Sequence, residues 1–356
     1  MSRDTNVSPA EVVLGFLEEA EPWRLRSPQF PSKVGGKPAW LSQKGLPSLP
    51  GLECETCRLP MAFLLQVYAP VSGQDRSFHR TLFLFCCRTP ECYTHNDSRC
   101  MKVFRSQLPR RNEFYPYDPP PEDEPLSDPE DNQSVLPVSG VKMCWVCGCP
   151  GNKACSRCQI VTYCGKHHQT LHWKQTHKKE CGNASIVTTS PFLFPESELV
   201  TEPEEEEEEG REENTKEAEG EEEEEEDTKE TDLEEMAMCE TEDNKVLQRF
   251  KKKIAPEPHQ VVRYSRGGSP LWISPQHVPS DQDIPPCTCG AKRTFEFQVM
   301  PQLLNSLCVD AKGASIDWGT LAVYTCSASC NQDNHYYPEF IWKQDFSTGQ
   351  QTVWCI

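Results

Sequence analysis

Short apolar runs, rich in Phe, Val, Leu and Tyr, occur in two clusters near the two ends of the chain. Each run is bounded by Pro, Gly or polar residues, and this pattern predicts β-strands. The predicted strands are residues 62–68, 80–86 and 101–107 in the first cluster and residues 294–299, 321–325 and 340–344 in the second. A helix is expected between the clusters, from about residue 165 to residue 179, because the Cys and His residues at 164, 168 and 177 need a turn-by-turn presentation and Leu171 and Trp173 can pack inward. The pattern indicates a β-rich protein with a small helical part.

The two clusters carry the same sequence pattern. The first contains Gly35-Gly36-x-Pro38-x-Trp40, then Phe63-x-x-Gln66-Val67, then Leu82. The second contains Gly267-Gly268-x-Pro270-x-Trp272, then Phe295-x-x-Gln298-Val299, then Leu321. Such repetition implies one fold used twice. Because a small isolated sheet is only marginally stable, we expect the two copies to pack together as a pseudo-symmetric unit, with the repeated tryptophans in its core.

Composition limits how much of the chain can contribute to that core. The 356 residues include 31 prolines, so we expect small domains rather than one large enzyme body. Residues 202–243 hold 25 Asp and Glu against 3 Lys and Arg, which leaves a net charge of +3 on the rest of the chain. A tract of this composition is predicted to be disordered. Its negative charge would either screen a basic partner or belong to a solvated linker without a role of its own.

The 20 cysteines could form disulfides or bind metal. The first twenty residues lack the basic segment and cleavage site of a secretory signal, and no stretch approaches the roughly 18 consecutive apolar residues needed to cross a bilayer. We therefore expect a protein of the cytoplasm and nucleus without a membrane partner. Thiols stay reduced there, and grouped cysteines usually hold zinc.

Eight cysteines and histidines with regular spacing lie between the two clusters, at Cys144, Cys147, Cys155, Cys158, Cys164, His168, His177 and Cys181. Eight such ligands are enough for two tetrahedral zinc ions. With Tyr163, Gln169 and Trp173, the spacing resembles the MYND finger, although that family usually has cysteine at position 168. The resemblance implies interleaved sites, with Cys144, Cys147, Cys164 and His168 around one ion and Cys155, Cys158, His177 and Cys181 around the other.

Three further residues of this region lie outside the spacing. We interpret Cys149 as a buried thiol near the metal. We interpret His167 and His172 as surface residues of the predicted helix.

Each cluster also contains two cysteine pairs separated by a predicted hairpin, the arrangement of a zinc ribbon. The expected ligands are Cys54, Cys57, Cys87 and Cys92 in the first cluster and Cys287, Cys289, Cys326 and Cys330 in the second, with one zinc ion in each set. Cys86 and Cys100 remain alternatives to Cys87 and Cys92, although the spacing from Leu82, matched by that from Leu321 to Cys326, favours Cys87. Three other cysteines fit no spacing and are interpreted as free thiols, namely Cys239, Cys308 and Cys355.

Together these patterns predict a zinc-stabilised, β-rich α+β fold. Two related small β halves form the pseudo-symmetric unit, and a MYND finger and a disordered acidic tract are inserted between them. The predicted boundaries are 10–115 for the N-terminal zinc-binding half, 116–140 for a linker rich in proline and acidic residues, 144–181 for the finger, 196–243 for the acidic tract and 245–356 for the C-terminal zinc-binding half.

Longer segments resemble the programmed cell death protein 2 family, namely residues 23–36, 63–70 and 295–304. The resemblance covers nearly the whole chain except the acidic tract. It implies a role in ribosome biogenesis, as a dedicated escort of a newly made small-subunit ribosomal protein of the universal S-five family, in the cytoplasm and nucleus. The MYND finger implies a second kind of partner, proline-containing peptides of transcriptional corepressors.

The sequence also bears on two other classes of function. The alternative is a transcription regulator that uses the finger to bind corepressor peptides or DNA and affects cell proliferation and apoptosis. DNA binding is disfavoured because the basic clusters, at Lys174, Lys178 and Lys179 and at Arg249 and residues 251–253, are small. Enzymatic activity is not expected, since the sequence has no phosphate loop, nucleophile elbow or His-Glu-x-x-His motif. We expect a monomeric binding protein.

Overall fold

Ten antiparallel strands close into one barrel in the computed structural model, which describes residues 11–124, 140–182, 190–205, 242–309, 315–331 and 335–347. The strands are β1 (Val13–Glu18), β2 (Lys33–Val34), β3 (Ala62–Tyr68), β4 (His79–Cys86), β5 (Met101–Leu108), β6 (Lys153–Ala154), β7 (Thr162–Tyr163), β8 (Ser197–Pro203), β9 (Val262–Tyr264), β10 (Arg293–Val299), β11 (Thr320–Cys326) and β12 (Tyr337–Gln344). Strands β6 and β7 form a separate two-stranded sheet.

The helices are short compared with the sheet. They are α1 (Lys166–His172), a π-helical turn (Trp173–His177), α2 (Lys178–Glu180), α3 (Glu242–Ile254) and α4 (Leu303–Ser306). Single 3₁₀ turns lie at Ser27–Gln29, Pro50–Leu52, Asp75–Ser77, Pro90–Cys92 and Ser98–Cys100. No helix in the described part of the chain has the length and apolar character needed to span a membrane.

The six strands predicted from the apolar runs are confirmed as β3, β4, β5, β10, β11 and β12, each to within three residues at both ends. The helix predicted at residues 165–179 is confirmed as the consecutive segments α1, π-turn and α2. The β-rich fold class is therefore correct. The sequence did not predict β1, β2, β8 and β9, which complete the barrel.

The strands that carry the repeated residues have matching registers. Strand β3 pairs with β4 through a bulge between Phe63 and Leu65, and β10 pairs with β11 through a bulge between Phe295 and Phe297. Around the barrel the order is β2-β3-β4-β5-β12-β11-β10-β9, so corresponding strands follow in mirrored order on the two sides of the β5–β12 pair. Hydrogen bonds between β5 and β12 join the two sides into one continuous sheet.

Strands β1 and β8 close the barrel between its two sides. They pair with each other over six residues, β1 also pairs with β9, and β8 also pairs with β2. The prediction that disorder begins at residue 196 is therefore wrong, because Ser197–Pro203 is a strand with Leu199 buried. The acidic residues 242 and 243 are also ordered, in the first turn of α3. Most of the predicted acidic tract, residues 206–241, lies outside the described residues.

Other predictions also fall partly or wholly outside the described residues. The linker predicted at 116–140 is described only at 116–124 and 140, where it has no helix or strand. The predicted free thiols Cys239 and Cys355 are not among the described residues. Cys308 is described and is exposed.

The barrel contains buried ion pairs that join its two sides. Arg80 of β4 and Glu296 of β10 have fully buried side chains and form a two-pronged ion pair, with Arg80 Nη2 2.7 Å from Glu296 Oε2. These strands are not neighbours, so the pair crosses the interior. Burial alone would raise the pKa of Glu296, but the charge of Arg80 and a hydrogen bond from Thr325 hold it below its usual value. A second buried pair joins Arg105 Nε and Glu339 Oε1 at 2.7 Å.

Candidate metal centres

The finger forms two separate clusters of potential metal ligands. In each cluster four ligand atoms all lie within 4.8 Å of one another, and the members are Cys144, Cys147, Cys164 and His168 in one and Cys155, Cys158, His177 and Cys181 in the other. These are the two interleaved sets implied by the MYND resemblance. The sheet of β6 and β7 and the helix α1 place them, since Cys164 directly follows β7 and His168 lies in α1.

The sulfur–sulfur distances inside the finger clusters fit tetrahedral coordination, whereas the 3.0 Å between His168 Nδ1 and Cys164 Sγ is shorter than a tetrahedral edge. The Sγ atoms of Cys147 and Cys164 are 3.9 Å apart, as are those of Cys155 and Cys181. The Nδ1 atom of His168 lies 3.6 Å from the Cys144 Sγ. A zinc ion with bonds of about 2.3 Å to sulfur separates two ligands by roughly 3.8 Å. The clusters therefore suggest zinc binding.

The outer cysteines form two further clusters, one at each repeated hairpin. The members are Cys54, Cys57, Cys87 and Cys92 in the first and Cys287, Cys289, Cys326 and Cys330 in the second. Cys87 follows β4 and Cys326 ends β11, so each cluster lies at the same end of its hairpin. The closest described sulfur pairs are 3.5 to 3.6 Å apart. These distances are far longer than the roughly 2.05 Å of a disulfide bond and close to a tetrahedral edge.

The surroundings of the N-terminal outer cluster bear on how Cys87 could serve as a ligand. Burial raises the pKa of the Cys87 thiol to about 11, so a thiolate at this position would depend on the positive charge of a metal ion. The backbone N–H of Thr89 donates to the Cys87 sulfur at 3.4 Å. Such donors orient a ligating sulfur and spread its charge.

The structure separates Cys87 from its two alternatives. Cys86 and Cys100 are fully buried but do not join the cluster. Successive side chains of a strand point to opposite faces, and Cys86 therefore turns away from the position that Cys87 occupies. Burial raises the pKa of both Cys86 and Cys100 to about 12, which keeps them as protonated thiols.

Three residues beside the finger clusters were interpreted from the sequence, and two of these predictions are confirmed. Cys149 is buried and lies outside both ligand sets, as predicted. The prediction that His172 lies on the surface is wrong. Its Nδ1 atom is 2.8 Å from the Tyr163 hydroxyl, and its ring stacks on the ring of the candidate ligand His177. Burial, with His177 nearby, lowers the pKa of His172 to about 4, so the ring is neutral at physiological pH. His167 is exposed, as predicted.

The finger is docked on the N-terminal side of the barrel. The indole N–H of Trp40 donates to the carbonyl of Gly148 at 2.7 Å, and Lys37 lies 5.6 Å from the centre of the Trp145 ring. On another side, the ring of Phe192 packs edge-on against the ligand His168, with centroids 4.2 Å apart. Phe192 was not singled out in the sequence. Its segment leads into β8, so the same residues connect the finger to the strand that closes the barrel.

Comparison with family models and curated proteins agrees with this architecture. Three family models match the chain. The N-terminal domain of programmed cell death protein 2 matches residues 11–122, the C-terminal putative domain of the same protein matches residues 244–345, and the MYND finger matches residues 144–181. Programmed cell death protein 2 of Bos taurus is 51% identical over 346 residues, which cover 96% of this chain and 98% of the bovine protein. Programmed cell death protein 2-like of Mus musculus is 28% identical, over 92% of this chain and 93% of the mouse protein.

A more distant match is partial. The probable 20S rRNA accumulation protein 4 of Schizosaccharomyces pombe is 34% identical over 98 residues, which cover 24% of each chain. No solved structure matches.

Proposed function

Because the chain belongs to the programmed cell death protein 2 family, we propose that it is a non-enzymatic zinc protein that escorts a small-subunit ribosomal protein of the universal S-five family. The observation that carries the ribosomal part is the similarity to a fission yeast protein named for 20S rRNA accumulation. The escort would act as a monomer in the cytoplasm and nucleus. Free ribosomal proteins are basic and bind nucleic acid without sequence preference, which is why such a client needs a dedicated partner.

In this proposal zinc has a structural role. Two ions occupy the finger and one occupies each outer cluster, since each of the four sets offers four protein ligands. Four protein ligands complete the tetrahedral shell of zinc and leave no position for a substrate or a reactive water. The four metal centres therefore support a binding protein rather than a hydrolase.

The matched registers support a pseudo-symmetric pair of β halves. The bulge in β3 and the bulge in β10 lie at corresponding residues of the repeated pattern, Phe63 and Phe295. In this arrangement β8 is the counterpart of β1. Strand β1 precedes the N-terminal half in the chain but pairs with β9 of the C-terminal half, and β8 precedes the C-terminal half but pairs with β2 of the N-terminal half. The C-terminal half then begins at residue 197 rather than 245, and residues 204–261 are an insertion within it.

The escort function can be tested with a tagged full-length chain recovered from cells that are translating actively. We expect one small-subunit ribosomal protein in near-stoichiometric amount, identified by mass spectrometry of the eluate. The same purified protein, mixed with the recombinant ribosomal protein, should form a complex that survives gel filtration.

The same pull-down also tests the alternative function, transcriptional regulation. Corepressor proteins or DNA in the eluate, without the ribosomal protein, would replace the escort proposal with transcriptional regulation. The exposed finger lysines Lys174, Lys178 and Lys179 would then be the first residues to replace.

The outer zinc assignment gives a prediction with a built-in control. Cys87→Ala is expected to lower the bound zinc from four ions by one, because one of four ligands in the N-terminal outer cluster is lost. Cys86→Ala, the neighbouring buried thiol, should keep all of the zinc and lose stability only by about 1–2 kcal/mol from the small cavity. Zinc is counted by elemental analysis of the purified variants. Zinc loss in the Cys86 variant alone would reassign the ligand.

A further inference from the structure

The repeated tryptophan loops are held in the same way in both halves. The Gln66 side-chain carbonyl accepts the backbone N–H of Ala39 at 2.9 Å, and the Gln298 side-chain carbonyl accepts the backbone N–H of Leu271 at 2.6 Å. Ala39 directly precedes Trp40, and Leu271 directly precedes Trp272. The repeated glutamine therefore places each tryptophan over the outer face of its own sheet.

The outer face of the N-terminal half is covered. Trp40 packs on Phe83 and Phe85, with centroids 5.1 and 5.8 Å away, and is only 3% exposed. The cover is the finger, whose Gly148 carbonyl accepts the Trp40 indole N–H. Gly148 has a φ of 68°, and a Cβ there would lie 2.8 Å from the Lys37 Cβ. A tight glycine turn of the finger thus fits against this face.

One aromatic pair of the N-terminal half recurs on the outer face of the C-terminal half. Phe295 and Tyr324 meet at 5.9 Å and 69°, as Phe63 and Phe85 meet at 5.7 Å and 67°. Among the described residues, however, nothing like the finger covers this side. The face consists of partly exposed side chains packed around Tyr324, namely Trp272, Ile284, Phe340 and Trp342.

Two details of this face are typical of a binding surface. In the part of the chain that the structure describes, the Trp272 indole N–H has no acceptor, whereas its counterpart Trp40 donates to the finger. Trp342 is already fixed, because its indole N–H donates to the His277 carbonyl at 2.8 Å and its ring stacks on His277. Val278, which follows His277 in the chain, is 43% exposed. The face therefore combines several aromatic rings, one of them fixed, with one donor that has no acceptor among the described residues, and Val278 is an exposed apolar residue on the adjoining loop.

We propose that this outer face of the C-terminal half is the docking surface for an apolar loop of the client ribosomal protein. The loop would offer a backbone carbonyl to Trp272, as the finger does to Trp40, and apolar side chains to Phe340 and Trp342. Rigid aromatic side chains commonly dominate the binding energy of protein interfaces. The identity of the client rests on the proposed function, while the position and apolar character of the site do not.

Charge at the rim agrees with a basic client. Asp281 and Asp283 are exposed on the loop that borders the face, against one exposed lysine, Lys292, which lies 3.7 Å from Asp281. The rim therefore carries an excess of negative charge. Complementary charge raises the association rate and disfavours acidic partners.

The test compares binding of the purified ribosomal protein to the full-length, zinc-loaded chain and to two neutral variants. Trp272→Phe keeps a ring but removes the N–H, and should weaken binding about 5- to 10-fold, the effect of one hydrogen bond. Val278→Gln places a polar group in the apolar contact and should weaken binding by about tenfold or more. Neither change alters the net charge, so electrostatic attraction stays the same.

Phe78→Gln is the matched control, because Phe78 is a similarly exposed apolar residue, 39% exposed, on the N-terminal half. It should leave the affinity unchanged. Zinc content and the urea midpoint of every variant must equal those of the parent chain. If the parent binds and both test variants bind equally well, the docking surface is wrong while the escort function stands.

If the parent chain does not bind the ribosomal protein, the proposed function fails, and the surface is judged separately. A photocrosslinking residue is then placed at position 278 in the full-length chain in cells. If it crosslinks to a basic protein, that protein is purified and its affinities for the parent chain and for the Val278→Gln variant are compared. Binding to the parent that is at least tenfold tighter would support the surface for that partner. Crosslinks confined to this chain's own residues, or none, would overturn it.

Discussion

Replacing Cys147 with alanine is expected to unfold the finger and to release zinc from it. Cys147 belongs to a cluster of four ligand atoms, and its sulfur lies 3.9 Å from that of Cys164. A domain of this size buries little apolar surface, and structural zinc contributes on the order of 10 kcal/mol to the folding of such domains. Loss of one ligand should therefore remove at least one ion and make the amides of residues 144–181 exchange rapidly with deuterium. The Trp40 ring would then become exposed, because the finger covers it.

Cys149→Ala is the matched control for that experiment. Cys149 lies two residues away, is 3% exposed and belongs to neither ligand set. Its replacement should keep the full zinc content and cost about 1–2 kcal/mol of stability from lost packing. Equal zinc loss in the two variants would contradict the assignment of ligands in the finger.

Replacing Glu296 with alanine is expected to destabilise the barrel by about 3–5 kcal/mol, because it leaves the charge of Arg80 buried without a partner. Both side chains are fully buried, and Glu296 also accepts hydrogen bonds from Thr325 and from the Tyr264 hydroxyl. The substitution would therefore remove an acceptor from three residues inside the protein, Arg80, Thr325 and Tyr264. Urea denaturation at constant zinc concentration measures the free energy of unfolding.

Two further variants make this result specific to the ion pair. Arg80→Met combined with Glu296→Leu should recover the part of the loss that comes from the unpaired charge, since apolar residues of similar volume can replace a buried ion pair at little cost. The Thr325 and Tyr264 hydroxyls still lack their acceptor, so recovery should be incomplete. Lys292→Ala removes a cation whose pairing with Asp281 is exposed, and should change the stability by no more than about 0.5 kcal/mol. A Glu296→Ala variant as stable as the Lys292→Ala variant would show that the pair does not hold the two sides together.

The hairpin strands could be predicted from the sequence because their apolar residues are dense and local. Strand β4 has all eight of its residues buried, so both faces contribute apolar positions. Strand β8 is the opposite case. Its sequence is Ser-Glu-Leu-Val-Thr-Glu-Pro, with Leu199 as its buried residue, and it adjoins an acidic tract. Its conformation is set by pairing with β1 and β2, which are distant in the chain. Because this pairing does not depend on the local composition, β8 could not be predicted from its own sequence.

The metal clusters were more predictable than the strands, because ligand spacing is local and zinc accepts few residue types. The choice of Cys87 over Cys86 came from the repeated spacing, and strand alternation gives its structural reason. The position of His172 was not predictable in the same way. Its exposure depends on how the helix packs against Trp145 and Tyr163. A histidine that is not a ligand belongs to no ligand-spacing pattern, so the sequence does not indicate whether it is buried.

The pairing of β1 with β8 and β9 also constrains the order of folding. Val13 of β1 pairs with Pro203 of β8 and with Tyr264 of β9, so the first strand leaves the ribosome long before its partners are made. At typical rates of 5–20 residues per second, synthesis as far as β8 takes roughly another 10–40 s. During that interval the N-terminal hairpins and their zinc cluster can assemble locally, whereas β1 has no neighbour. Barrel closure is therefore a late step with high contact order, and incomplete chains present unpaired strand edges until it occurs.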